Sequence, residues 1–183
     1  MSARTSPPLA LLHKNLRLGY RGAELEINRG FERGPELATC AIMDADALAD
    51  KVARSMLAAE GTGPSWGITI DEVREDYARV SMLVRADMLN GHGFAHGGMI
   101  FALADSAFAY VCNGANHASM AAQASIVFLD KVREGETLIA EATEVAREGR
   151  AGVTRVAVRA GDGRAVAEFT GYSRTLGGPV VEI

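Results

Sequence analysis

Residues 96–114 read HGGMIFALADSAFAYVCNG, and no other stretch limits the fold of this chain so tightly. From Gly97 to Cys112 the side chains are apolar or small, broken only by Asp105, Ser106 and the hydroxyl of Tyr110. A helix that is apolar around its whole circumference belongs inside a core. A carboxylate there is costly unless something neutralises it or uses it. The fold must surround this helix, and the function must account for Asp105.

The flanking sequence supplies what can do the surrounding. Between Asp44 and Glu60 the apolar residues Leu48, Val52 and Met56 recur every fourth position, which predicts an amphipathic helix that "GTGP" then ends. Residues 66–73 and 77–85 read as two strands joined by a charged turn. The second alternates, with Ala78, Val80, Met82 and Val84 on one face and Arg79, Ser81 and Arg85 on the other. The glycine-rich loop MLNGHGFAHGG leads into the central helix, expected over 97–113. Further strands are expected near 121–129, 136–147, 151–160 and 164–175, with "REGE", "REGR" and "GDGR" as hairpin connections. Strands and helices do not alternate, which argues against a doubly wound parallel sheet. The order predicts an α+β fold: one long central helix wrapped by a curved antiparallel sheet.

Composition narrows the class of function. The 183 residues carry a net charge of −4 and no clustered Lys/Arg stripe, so there is no electrostatic footprint for nucleic acid. Cys40 and Cys112 show no Cys-x-x-Cys spacing, which makes a disulfide framework or structural zinc unexpected and a cytoplasmic location the default. No run reaches the roughly 18 apolar residues of a membrane span. Residues 1–43 hold six Lys/Arg against four Glu, whereas residues 44–183 hold thirteen against nineteen acids. The first 42 residues, rich in charge and glycine and poor in core pattern, read as a disordered arm. "PPLALL" is too short for a signal-peptide core, and Pro7 and Pro8 disfavour an amphipathic transit helix. The domain is expected over 43–183, with Met43 a candidate natural start.

Four chemistries can be asked of the loop and helix. Gly97 and Gly98 open the helix, whose first N–H groups lack internal partners and carry the positive end of its dipole. Such an end suits a phosphate, a carboxylate or the oxygen of a reacting carbonyl; the plainer alternative is a tight entry into a packed helix. "GHGFAHG" has the wrong glycine spacing for a dinucleotide loop. His92, His96 and Asp105 offer a two-His-one-carboxylate set, but the glycines flanking His92 oppose the helix that would align the histidines. A Ser–His–Asp triad lacks its GxSxG elbow. Asp105 lies eight residues past Gly97, about 12 Å along a helix. It cannot reach a carbonyl held at the Gly97 N–H of the same chain. Either the two serve separate purposes, or the carboxylate comes from a second subunit across a two-fold axis.

MLNGHGFAHGGMIFALADSAFAYVCN, "SIVFL" in the following strand and the closing "SRTLGG" resemble the hotdog-fold acyl-CoA thioesterases of the phenylacetate-degradation (PaaI) type, over about residues 44–178. The resemblance implies a hotdog fold, a homodimer or homotetramer with active sites shared between subunits, and hydrolysis of acyl-CoA, with phenylacetyl-CoA or hydroxyphenylacetyl-CoA as the expected substrate. Residue by residue, Asp105 matches the catalytic carboxylate, Gly97 the backbone donor to the thioester carbonyl, and Asn90 and His96 the polar loop residues that position thioester or water. Gly98, Arg150 and Arg174 are the matching candidates for substrate binding, the two arginines for coenzyme A. Some relatives carry a serine where this chain has Ala121. The resemblance implies no metal or cofactor, and a thiolate leaving group needs no strong general acid. A hotdog dehydratase or hydratase and a non-catalytic acyl-CoA binding domain are the alternatives, and release of thiol separates thioesterase from both.

Overall fold

The computed structural model describes residues 43–183; the expected arm at 1–42 lies outside the described residues. Helix α1 (Ala45–Ala59) starts where Asp44 accepts the N–H groups of Asp46 and Ala47, at 2.9 and 3.2 Å. Its inward face is Ala49, Val52 and Ala53. "GTGP" does not simply end this helix. It contributes to a second short one, α2 (Thr62–Trp66), which stops at Gly67 with φ of 74°. The first strand therefore starts later than the apolar pattern suggests, as β1 (Thr69–Arg74). The left-handed Gly67 is the turn that separates Trp66 from it.

The remaining elements follow the expected order. They are β2 (Tyr77–Leu83), a turn of 3-10 helix at Ala86–Met88, α3 (Gly97–Asn113), β3 (Ser119–Phe128), β4 (Thr137–Glu148), β5 (Ala151–Ala160) and β6 (Ala165–Thr175). One antiparallel sheet takes the order β1-β2-β4-β5-β6-β3, so the first strand after α3 lies at the far edge from β1, and "REGE" is a crossover between unpaired strands rather than the expected hairpin, because β3 pairs with β6. Helix α3 packs across five of the six strands, β2 to β6, and also meets α1. Ile100, Leu103, Ala104, Ala107 and Phe108 are its buried side. Phe169 of β6 lies edge-on to Phe101 at 5.3 Å and near Phe108 at 5.9 Å. Gly171 is glycine for a packing reason: a Cβ there would sit 2.6 Å from the Phe108 ring.

The helix is not enclosed on all sides by its own chain. Gly98 is exposed, and Ala102, Asp105, Ser106 and Ala109, one to three turns further along the same stripe, are only partly buried. Tyr110, by contrast, is buried, and its hydroxyl donates to Glu60 Oε1 at 2.8 Å. Burial and that carboxylate push the Tyr110 hydroxyl well above its usual pKa.

The two sheet edges differ. β1 is short, bulged between Ile70 and Glu72, and carries Asp71, Glu72 and Arg74. β3 is ten residues long and exposes Met120, Val127 and Phe128, followed by Leu129. Charged and bulged edges resist pairing with another strand; long apolar ones invite it.

Candidate active site

The start of α3 is fixed from three directions. His96 N–H donates to Met88 O at 2.8 Å, Ala95 N–H to Val132 O at 2.8 Å, and an isolated bridge joins Leu89 to Ala95. Asn90 holds the loop before it. Its Oδ1 accepts the N–H groups of His92 (2.9 Å) and Phe94 (3.3 Å), and its own N–H reaches Phe94 O at 2.7 Å. The Asn90 carbonyl end is thus spent on the loop, and its amide nitrogen is the end left for a ligand.

The first turn's donors can then be accounted for one by one. The N–H groups of Met99 and Ile100 both meet His96 O, at 2.8 and 3.3 Å. Gly98 N–H meets the His96 ring at Nδ1, at 2.9 Å. Gly97 N–H finds no acceptor among the described residues. It is the free donor of the helix start. Gly97 lines a cleft of about 380 Å³ with Asn90, Phe94, Ile100, Phe128 and Leu129. A Cβ on Gly97 would sit 3.1 Å from the Phe128 ring, so the glycine lets that ring pack close to the helix start.

Asp105 does not line this cleft. It sits on the open stripe of α3, partly buried. Burial alone raises its pKa above the ordinary aspartate value, with neither a cation nor a hydrogen bond acting against it. A carboxylate in that condition is a stronger base than a solvated one and is free to act. Cys112, two turns on, is inert as a nucleophile, since burial pushes its thiol up to about 12.

The expected coenzyme A residues lie elsewhere. Arg174 pairs in register with Met120 at one end of β3, whereas Phe128, beside Gly97, pairs with Ala167 at the other. Eight residues of strand separate the two ends, about 26 Å. Arg150 is further committed, its Nε donating to Thr175 O at 2.8 Å and its Nη2 to Leu176 O at 3.1 Å. One chain therefore brings together Gly97, Gly98, His96 and Asn90 but not Asp105, Arg150 or Arg174. Gly98, expected to contact substrate, has its N–H engaged by His96. Phe128 was missed by sequence reasoning. Its signal was the "SIVFL" motif, whose last two residues wall the cleft. His92 and His96 form no metal site with Asp105, and no group of three or more His, Cys, Asp or Glu side chains suited to a metal occurs among the described residues.

Comparison with known proteins shows the family. The thioesterase superfamily pattern matches residues 92–167, which span the end of the loop, α3, β3 to β5 and the start of β6. The chain is 39% identical over 129 residues to the acyl-coenzyme A thioesterase PaaI of Escherichia coli K12, covering 70% of this chain and 91% of that protein. It belongs to the hotdog acyl-CoA thioesterases of the PaaI type, and is a thioester hydrolase by that descent.

The solved E. coli PaaI structure, from a phenylacetic acid degradation operon, superposes with a TM-score of 0.73 at 36% identity, covering 74% of this chain and 99% of that one. A variant of the phenylacetic acid degradation protein PaaI from Thermus thermophilus gives 0.60 at 35% identity, covering 62% and 97%. A protein described as a hypothetical thioesterase from Streptococcus pneumoniae TIGR4, solved with coenzyme A, gives 0.59 at 25% identity, covering 61% and 90%.

Proposed function

We propose that this enzyme hydrolyses aryl-acetyl thioesters of coenzyme A, phenylacetyl-CoA or hydroxyphenylacetyl-CoA, at sites each built from two subunits. The observation that carries the reading is the division of α3: one free donor at Gly97, and an unpaired carboxylate eight residues on. At about 1.5 Å per residue they are about 12 Å apart, too far to serve one carbonyl group within one chain. Two copies of β3 paired antiparallel about a two-fold axis set the Met120 end of one chain beside the Phe128 end of the other. That pairing supplies Asp105 from the partner subunit and carries Arg174 and Arg150 towards the Gly97 cleft. The long apolar edge of β3 supports it. Dimers assembled this way pair further into a tetramer in the cytoplasm.

In the reaction, Gly97 N–H donates to the thioester carbonyl oxygen and stabilises the oxyanion that forms. The Asp105 carboxylate either attacks the carbonyl carbon, giving an anhydride that water then opens, or takes a proton from the attacking water. In both routes the carbon–sulfur bond breaks and coenzyme A leaves as thiolate, with a thiol pKa near ~8.5 that requires no strong acid. Asn90 positions the thioester or water through its amide nitrogen. Arg174 and the unspent edge of Arg150 bind phosphate. Phe94, Ile100, Phe128 and Leu129 offer apolar and aromatic walls for an aryl group beside the carbonyl site, and Asp130 and Lys131 line the same cleft with charge.

The test is release of free thiol from a panel of aryl- and alkyl-CoA esters. Phenylacetyl and hydroxyphenylacetyl esters are expected to turn over fastest. Equal rates on long fatty acyl chains would remove the aryl preference, and the absence of thiol release from every ester would remove the hydrolytic reading.

A further inference from the structure

Val132 is fully buried and its carbonyl accepts Ala95 N–H at 2.8 Å, so the segment leaving β3 is pinned against the loop that precedes α3. The residues on either side of Val132 are cations, Lys131 and Arg133, and both are exposed. With the apolar residue turned inward, its two neighbours turn outward to the same side. The result is visible at Phe94: Lys131 Nζ stands 5.0 Å from the centre of its ring and Arg133 Cζ 5.3 Å. An aromatic face attracts cations and so holds two long, flexible side chains in place. Phe94 and Lys131 both line the Gly97 cleft, which puts the charges at its rim. Neither is neutralised there. Among the described residues no carboxylate pairs with the Lys131 ammonium or the Arg133 guanidinium, and Glu134 forms no ion pair with either. Asp130, the acid in the same cleft, is engaged by Arg164 at 3.1 Å, and Glu136 by the same arginine at 2.5 Å. A chain with a net charge of −4 thus keeps two unpaired cations at this one opening.

Resting on the reading of this cleft as the thioester site, we propose that Lys131 and Arg133 bind a phosphate group of coenzyme A, from the same subunit that supplies the Gly97 N–H. The pantetheine arm separates the thioester from the phosphates. Cations that meet phosphate therefore belong at the mouth of the cleft rather than beside the carbonyl, and these two stand there. Coenzyme A carries its 3′-phosphate and its diphosphate as separate anions. In the proposed strand pairing Arg174 and Arg150 meet one of them from across the dimer, and Lys131 and Arg133 meet the other. Their charges act on encounter and binding, not on the bond that breaks.

The experiment reads KM and kcat by thiol release from phenylacetyl-CoA for the full-length wild type, Lys131→Met, Arg133→Met and the double variant. Methionine keeps an unbranched apolar stem over the Phe94 ring and removes the charge. An exposed cation meeting phosphate predicts a rise in KM of about fivefold for each single variant and about twenty-fivefold for the double, with kcat changed less. The rise should shrink on phenylacetyl-pantetheine, which has the thioester but no phosphate. Phenylacetyl-dephospho-CoA identifies the group: a rise that disappears with it assigns the 3′-phosphate, and one that persists assigns the diphosphate. Lys131→Arg and Arg133→Lys keep the charges and should retain most of the affinity. An unchanged KM for phenylacetyl-CoA in the double variant, or an equal rise on the pantetheine ester, would overturn the inference. Titration calorimetry with coenzyme A itself reads the same contact without turnover. A wild type that releases no thiol from any ester, yet binds coenzyme A more tightly than the double variant, removes the functional reading and leaves the phosphate site standing.

Discussion

The first turn of α3 and its middle are built on opposite principles. At Gly97–Ile100 nearly every backbone donor has a partner, and the loop before it is pinned by Met88, Asn90 and Val132. At Asp105 a charged side chain has no hydrogen-bond or ion-pair partner among the described residues and is partly taken out of water. Tyr110, five residues further, shows that this helix can satisfy a polar group when packing requires it, through Glu60. The difference separates pre-organisation from reactivity. In the proposed reaction the donor is made precise by local bonds, and the carboxylate is kept reactive by lacking them.

The largest expected effect breaks the comparison at its reactive half. Asp105→Asn keeps the size of the side chain and removes its charge, and is expected to cost at least ~100-fold in kcat. Near-normal turnover would make Asp105 a structural residue.

The same substitution sharpens the comparison through stability. The Asp105 pKa is raised on folding, so the folded state favours the protonated form. Its contribution to stability is fully present below the unfolded value, about 3.9, and is lost as pH rises through the folded value. Asp105→Asn should therefore melt above wild type at neutral pH, with the gap closing on acidification. Thermal melts at several pH values check this; a variant less stable than wild type at neutral pH would contradict it.

A smaller effect concerns the assembly that brings the two halves together. Val127→Arg places a charge on the exposed edge of β3, where Val127 is 61% exposed. It is expected to shift the protein towards monomer in sedimentation, and activity should fall in proportion to the dimer lost. A fully active monomer would remove the need for a partner subunit. The smallest effect is expected from deleting residues 1–42, whose composition offers little to bury. Melting temperature and kcat should both stay within error, and a large drop in either would give the arm a role in the domain.

Much of this contrast was legible in the sequence because it rests on periodicity and chain distance. The apolar run fixed α3 to the residue, and the count from Gly97 to Asp105 alone separated donor from carboxylate. The alternation at Ala78, Val80 and Met82 set the face of β2. What was not legible depends on backbone and ring geometry that periodicity does not carry, or on contacts between distant segments. α2 arises because Gly67 can turn left-handed after "GTGPSW", and the preceding apolar spacing masks it. Gly98 looked like a second ligand donor because nothing local shows that His96 turns its ring back onto it. Arg150 looked free because its acceptors, Thr175 O and Leu176 O, come 25 and 26 residues later. The open stripe of α3 was not legible either, since a helix apolar all round does not say whether its own chain or another covers it.

The central claim is that donor and carboxylate come from different subunits, and a mixed dimer tests it most directly. A Gly97→Pro chain lacks the donor N–H, an Asp105→Asn chain lacks the acid, and each homodimer should be nearly inactive. A mixed dimer has one site with both defects and one with neither, so the account predicts recovery of up to half the normal activity per dimer. Formation of the mixed species is verified by native mass before rates are read. No recovery in a verified mixed dimer would contradict the shared site.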